Sequence, residues 1–90
     1  MIFNLYQEFA FLHMFRAQNS LKDAMTSIAR YMRGMGLKKG YVRQVKNGEE
    51  SFTRWKIVYN PVADCFAYAL DDDSPVHRPV RVVREEPCQA

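Results

Sequence analysis

Asn47-Gly48 stands between two stretches that alternate apolar and polar side chains, Tyr41 to Lys46 and Phe52 to Tyr59. Asn-Gly suits a two-residue hairpin loop because both central residues of a type I′ turn need positive φ. The chain must therefore fold back on itself here. Asn60-Pro61 begins a second turn that leads into Cys65 to Leu70, so this half of the chain is predicted to form a three-stranded antiparallel meander. Val80 to Arg84 is a candidate fourth strand at the edge, its exposed side basic through Arg81 or Arg84. Glu85-Glu86-Pro87 then ends the order, leaving 85–90 as a tail.

The turn sets the pairing only in part. A two-residue loop places Lys46 opposite Glu49, Gln44 opposite Ser51 and Tyr41 opposite Arg54, whereas a four-residue loop brings Arg43 opposite Arg54. Both registers give the same two faces. Tyr41, Arg43, Val45, Phe52, Arg54 and Lys56 share one, and Val42, Gln44, Thr53, Trp55, Ile57 and Tyr59 share the other. The second is the face to bury, because its apolar residues line up along the central strand. Aromatic side chains alternate with cations on the first face, as they would on a surface that stacks bases and neutralises phosphates. A solvated face whose cations discourage edge pairing would carry the same pattern.

A helix is expected from Asn19 or Ser20 to about Gly34. Ser20 can cap its start, Asp23 places a carboxylate at the positive end of the dipole, and Gly34 and Gly36 stop it. At about 100° per residue, Leu21, Ala24, Met25, Ile28, Tyr31, Met32 and Met35 fall on one side. Lys22, Thr26, Arg30 and Arg33 gather on the other. The helix is thus predicted to cover the sheet and to show solvent a basic stripe, with Trp55, Ile57 and Tyr59 against Leu21, Met25, Ile28 and Met32.

Phe9 to Phe15 is apolar at nearly every position, which periodicity cannot resolve between a buried strand and a buried helix. Its aromatic content leans towards strand. A helix over residues 5–18 would instead explain Glu8 near its start and Arg16 near its end. The expected fold is α+β: one amphipathic helix on an antiparallel meander of three or four strands, with the N-terminal apolar segment as a further strand or helix.

Ninety residues supply one hydrophobic core and hence one domain over 1–90. The first residues lack a basic leader and a small-residue cleavage site, and Asn4, Gln7 and Glu8 interrupt their apolar run. A cytosolic, non-secreted, monomeric protein is expected. Cys65 and Cys88 are not spaced as a metal clasp, and His13 and His77 stand apart from other ligands, so no metal or cofactor is expected. Asp71-Asp-Asp-Ser-Pro75 reads as a solvated turn, since calcium loops alternate their carboxylates around a glycine. No serine sits in a glycine-framed elbow, and Gly34, Gly36 and Gly40 do not have phosphate-loop spacing. The chain reads as non-enzymatic.

Charge points to binding. Eight of the nine charged residues between Phe9 and Gly48 are basic, while eight carboxylates against five cations follow Gly48. Such segregation attracts a polyanion or an acidic partner better than an even mixture would. The candidate contact residues are Lys22, Thr26, Arg30 and Arg33 on the helix, Lys38 and Lys39 after it, and Arg43, Arg54 and Lys56 on the sheet.

A small, cytosolic α+β domain with Met35-Gly-Leu-Lys-Lys-Gly40 between helix and sheet, a surface charge field and no catalytic motif resembles the phage-encoded anti-CRISPR proteins. The resemblance implies an inhibitor that acts in the cytoplasm of a bacterial host, binds a multisubunit RNA-guided interference complex of type I, narrowly subtype I-F, and blocks pairing of target DNA with the guide. Phosphate contacts by Lys and Arg would serve that role. The competing class is a small basic regulator acting on free DNA or RNA.

Overall fold

Asn47 and Gly48 both take positive φ, 53° and 80°, and join β3 (Lys39–Lys46) to β4 (Glu49–Asn60) through the expected two-residue turn. The computed structural model describes residues 1–71 and 80–84. Lys46 pairs with Glu49 and Val45 with Glu50, but Arg43 lies opposite Arg54. The register shift lies between Arg43 and Val45, where Ser51, Phe52 and Thr53 of β4 oppose Gln44 alone. Both predicted registers therefore occur, one at the tip and one beyond the bulge. A shift of two residues keeps every side chain on its face.

The sheet is larger than expected. Against an expected meander of three or four strands with one further N-terminal strand or helix, it has six strands in the order β2-β1-β3-β4-β5-β6, with both β1 (Ile2–Gln7) and β2 (Ala10–Phe15) added to β5 (Cys65–Leu70) and β6 (Arg81–Val83). Every neighbouring pair is antiparallel. The helical alternative for residues 5–18 is thus overturned. Ile2, Asn4 and Tyr6 alternate with Phe3 and Leu5, a period-2 pattern that buries Phe3 and Leu5. Glu8, at φ 56°, turns the chain into β2 without a glycine. The β2 strand is not the buried strand its composition suggested, because Phe9 and Phe11 are exposed and Phe15 is buried. Mutual backbone hydrogen bonds between Met1 and Gln18 close the base of this hairpin.

One helix, α1 (Leu21–Met35), carries the chain over β1 from β2 to β3. The Ser20 hydroxyl accepts from the Asp23 amide at 3.1 Å, as the capping pattern predicts. At the other end the Gly36 and Leu37 amides donate to the carbonyls of Arg33 and Met32, which ends the helix in a Schellman-type turn. Ala24, Met25, Ile28, Ala29 and Met32 are buried against Phe3, Leu5, Val42, Ile57, Phe66, Tyr68 and Val83. Trp55, Tyr59, Leu21 and Tyr31 pack around this core, as expected, whereas Met35 points to solvent. Gly40 makes close approach possible: a Cβ there would lie 2.9 Å from Leu5 Cδ1 and 3.3 Å from Met32 Cε.

The predicted edge strand is present as β6, with Val82 opposite Ala67 on the face away from the helix and Arg81 opposite Tyr68 on the helix side. The proposed tail over 85–90, the rest of the acidic turn beyond Asp71, His77 and Cys88 lie outside the described residues. His13 is exposed at the edge strand and stacks on Tyr31, with ring centroids 4.9 Å apart. No helix is long and apolar enough to cross a membrane.

Candidate nucleic-acid interface

The single helix covers one side of the sheet, and no element among the described residues covers the other. Strand parity and pairing place Asn4 and Tyr6 of β1, Phe11 of β2, Lys39, Tyr41 and Arg43 of β3, and Glu50, Arg54, Lys56 and Val58 of β4 on this open side. Tyr41 is its centre. Arg54 Cζ lies 4.6 Å from the centroid of the Tyr41 ring and Lys39 Nζ lies 5.5 Å from it, both within cation–π range. Lys56 pairs directly with Tyr41 across the strands.

The arginines are held rather than free to swing. Arg54 Nη2 forms an ion pair with Asp71 Oδ2 at 2.6 Å, so at least this residue of the acidic turn is engaged by the fold. Arg43 Nη1 donates to the Ser51 carbonyl at 3.0 Å and so fills the gap that the β4 bulge opens. Next to them, Tyr6 meets Phe11 edge-on at 5.8 Å and donates its hydroxyl to Glu50 Oε2. Asn4 Nδ2 donates to the same oxygen at 2.8 Å. These groups enclose a concavity of about 220 Å³ walled by Tyr6, Phe9 and Tyr41, by Arg43 and Arg54, and by Glu8 and Glu50.

On the opposite side of the molecule, Lys22 and Arg30 are exposed as the helical pattern predicts. Thr26 turns its hydroxyl back to the Lys22 carbonyl at 3.0 Å. Arg33 is exposed as well, but it is also engaged within the fold. Its guanidinium lies 3.2 Å from Asp64 Oδ1 and stands 5.5 Å from the Tyr59 ring and 5.7 Å from the Phe66 ring. Lys38 Nζ is 4.3 Å from the same Tyr59 ring. Arg33 and Lys38 therefore belong to a clasp between the helix end and the β4–β5 turn. The nine candidate residues divide among a helix stripe, this clasp and the open sheet, and one partner strand cannot lie on both faces at once.

The fold also softens the charge segregation of the sequence. Asp64 meets Arg33 and Glu49 stands opposite Lys46, so two carboxylates of the second half are returned to cations of the first, while Asp71 meets Arg54 within the second half. Hydrogen bonds from Asn4 and then Tyr6, with Arg43 nearby, hold the Glu50 carboxyl below its ordinary range. The Tyr59 hydroxyl, 2.5 Å from Asp64 Oδ1, and then Arg33 do the same for Asp64. Both tyrosines move up, chiefly because each donates to its carboxylate.

These shifts set an acid limit. Carboxyls depressed in the folded state contribute stability above the unfolded pKa, and that contribution is lost as pH falls through the folded values. Melting temperature is expected to fall below about pH 4, and Glu50→Gln with Asp64→Asn should flatten the dependence in a circular-dichroism series. An unchanged acid slope in the double variant would show that other carboxyls set it. At the alkaline end the sign reverses: raised tyrosines contribute below their unfolded pKa and lose that contribution above about pH 10.

Among the described residues no group of three or more His, Cys, Asp or Glu side chains could hold a metal. Comparison with protein-family models, with curated proteins and with solved structures returned no match. The assignment of a site therefore rests on the surface itself. Arg43, Arg54 and Lys56 were readable from alternation, but Asn4, Tyr6 and Glu50 were not. Contacts spanning 44 and 46 residues leave no local trace in sequence.

Proposed function

We propose that the protein is a non-enzymatic inhibitory binding protein whose open sheet face occupies the nucleic-acid strand path of an RNA-guided interference complex and blocks target DNA binding. The observation that supports this reading most is Tyr41 held between Lys39 and Arg54 on an uncovered sheet, with Arg43 and Lys56 beside it. Cations around accessible rings serve a single strand twice over, by neutralising phosphates and by stacking on bases. The interference complex, among nucleoprotein partners, is chosen on the resemblance of overall character alone.

The test uses a purified type I-F complex and labelled target DNA in a mobility-shift assay. Stoichiometric protein should abolish the shifted band, and full target binding in its presence would overturn the inhibitory reading. The second reading, a small regulator acting on free DNA or RNA, is favoured by Phe11 and Phe9, which are 53% and 94% exposed beside the same concavity. It requires binding to bare single strands with a log–log salt slope of about −2 to −3, as three or four phosphate contacts would produce.

A further inference from the structure

We propose that the concavity between β1, β3 and β4 is a single-base pocket that accepts an amino-bearing base, cytosine being the diagnostic one, and rejects uracil through Glu50. This rests on the reading that the open face binds a nucleic-acid strand. The starting observation is an unusual partnership. Glu50 lines the pocket together with Arg43 and Arg54, yet forms an ion pair with neither. Arg54 is committed to Asp71 and Arg43 reaches the Ser51 carbonyl. The carboxylate is instead gripped through one atom, since the Asn4 amide and the Tyr6 hydroxyl both donate to Oε2.

Two donors on one oxygen fix where the other oxygen stands. Among the described residues nothing donates to Oε1, so the pocket holds an oriented, charged acceptor with an open position. Asn4 grips Glu50 from behind the pocket: it is only 7% exposed, does not line the concavity, and keeps its Oδ1 buried out of reach of an occupant. The Asn4 amide orientation is itself determined here, because only its nitrogen can donate to a carboxylate.

The remaining walls combine stacking surface and an arginine with a second carboxylate, Glu8, which can also accept from an amino group. Tyr6, Phe9 and Tyr41 provide aromatic surface, and Phe9 at the β1–β2 turn is almost wholly exposed. An arginine has five N–H donors, so Arg43 keeps donors beyond the one given to Ser51. A concavity of about 220 Å³ has room for one base. An acceptor-only edge then selects among bases. Cytosine N4 and adenine N6 offer amino hydrogens, whereas uracil presents carbonyl oxygens on both sides of its one N–H and would set them against Glu50. Cytosine and uracil are close in shape, so shape alone cannot produce the difference.

Fluorescence anisotropy of the full chain with labelled single-stranded oligo(C) and oligo(U), at neutral pH and fixed salt, tests the pocket. Oligo(C) should bind about tenfold more tightly or better, the discrimination expected of one well-placed base contact. Glu50→Gln should bring the two affinities to within about twofold, because an amide can donate to a uracil carbonyl as readily as it accepts from cytosine. Tyr6→Phe keeps the ring, removes one donor from Oε2, and should weaken the preference for cytosine, which provides a second readout if E50Q folds poorly. Equal binding of both oligomers by the wild type, or a preference that survives both variants, overturns the base pocket while leaving strand binding intact. No binding of either oligomer overturns the strand-binding reading as well.

Discussion

Phe3→Ala is expected to cost about 3–5 kcal/mol and to leave the protein largely unfolded at physiological temperature. Phe3 is 1% exposed on β1, opposite Phe15 of β2 and Gln44 of β3, with its ring edge-on to Trp55 at 6.2 Å. It is therefore the ring that joins the N-terminal hairpin to the meander. Removing it takes away its transfer free energy and leaves a cavity whose walls belong to different strands and cannot collapse together. A single small domain has total stability on the order of 5 kcal/mol, so the loss approaches the whole. Where a folded population persists, its melting temperature should drop by roughly 15–30 °C. Phe52→Ala provides the comparison, since Phe52 is fully exposed on the β4 bulge and should change stability by only about 0.5 kcal/mol or less. Urea titration followed by circular dichroism separates the two. Wild-type stability in Phe3→Ala would mean that β1 does not belong to the core.

That β1 carries such weight was not evident beforehand, and the reason is physical. Its alternation of Ile2, Asn4 and Tyr6 with Phe3 and Leu5 is a legible period-2 signal, but the turn after it contains no Gly, Pro or Asn. Glu8 takes the left-handed conformation that glycine would normally announce. Without a visible turn the next run, Phe9 to Phe15, merged into one apolar block of uncertain period. Its exposed aromatics then misled in the opposite direction, because Phe9 and Phe11 face the open side of the sheet and not the core. By contrast, Ser20, Gly36 and Asn47-Gly48 are local devices, and local devices can be read locally. The register of β3 and β4 shows the boundary between the two cases: the turn determined the tip, whereas the bulge that re-aims Arg43 towards Ser51 depends on packing beyond it.

The candidate surface divides in the same way. Lys22 and Arg30 stand where the helical period places them, as do Tyr41 and Lys56 along the strands, whereas Lys39, expected between helix and sheet, begins β3. Arg33 has the right period and a structural role besides, because Asp64, 31 residues away, and the rings of Tyr59 and Phe66 meet it at the helix end. Reversing Arg33 would therefore disturb the clasp as well as the field. Loss of binding in such a variant could not be assigned to the partner contact, which makes Lys22 and Arg30 the cleaner probes of the helix side.

The double reversal Lys39→Glu with Lys56→Glu is expected to abolish partner binding while sparing the fold. Lys56 lies opposite Tyr41 and Lys39 stands over its ring, so both cations flank the position where a base would stack and its phosphates would run. Neither has a carboxylate ion pair among the described residues, and the buried core is untouched. Each lost phosphate contact removes about 1 kcal/mol in moderate salt, and each new carboxylate adds comparable repulsion, so the pair should weaken binding by roughly 100- to 1,000-fold. The log–log salt slope for a single strand should also become shallower by about 1.4. Lys22→Glu with Arg30→Glu changes net charge by the same amount on the other side of the molecule. The smallest dimension of the fold is 23 Å, while screening at physiological salt acts within about 8 Å, so this control should retain affinity within a few-fold. Parallel titrations of both variants against labelled single strand or interference complex decide the matter. If the helix pair loses binding and the sheet pair keeps it, the open sheet face is not the working surface and the basic stripe of α1 takes its place.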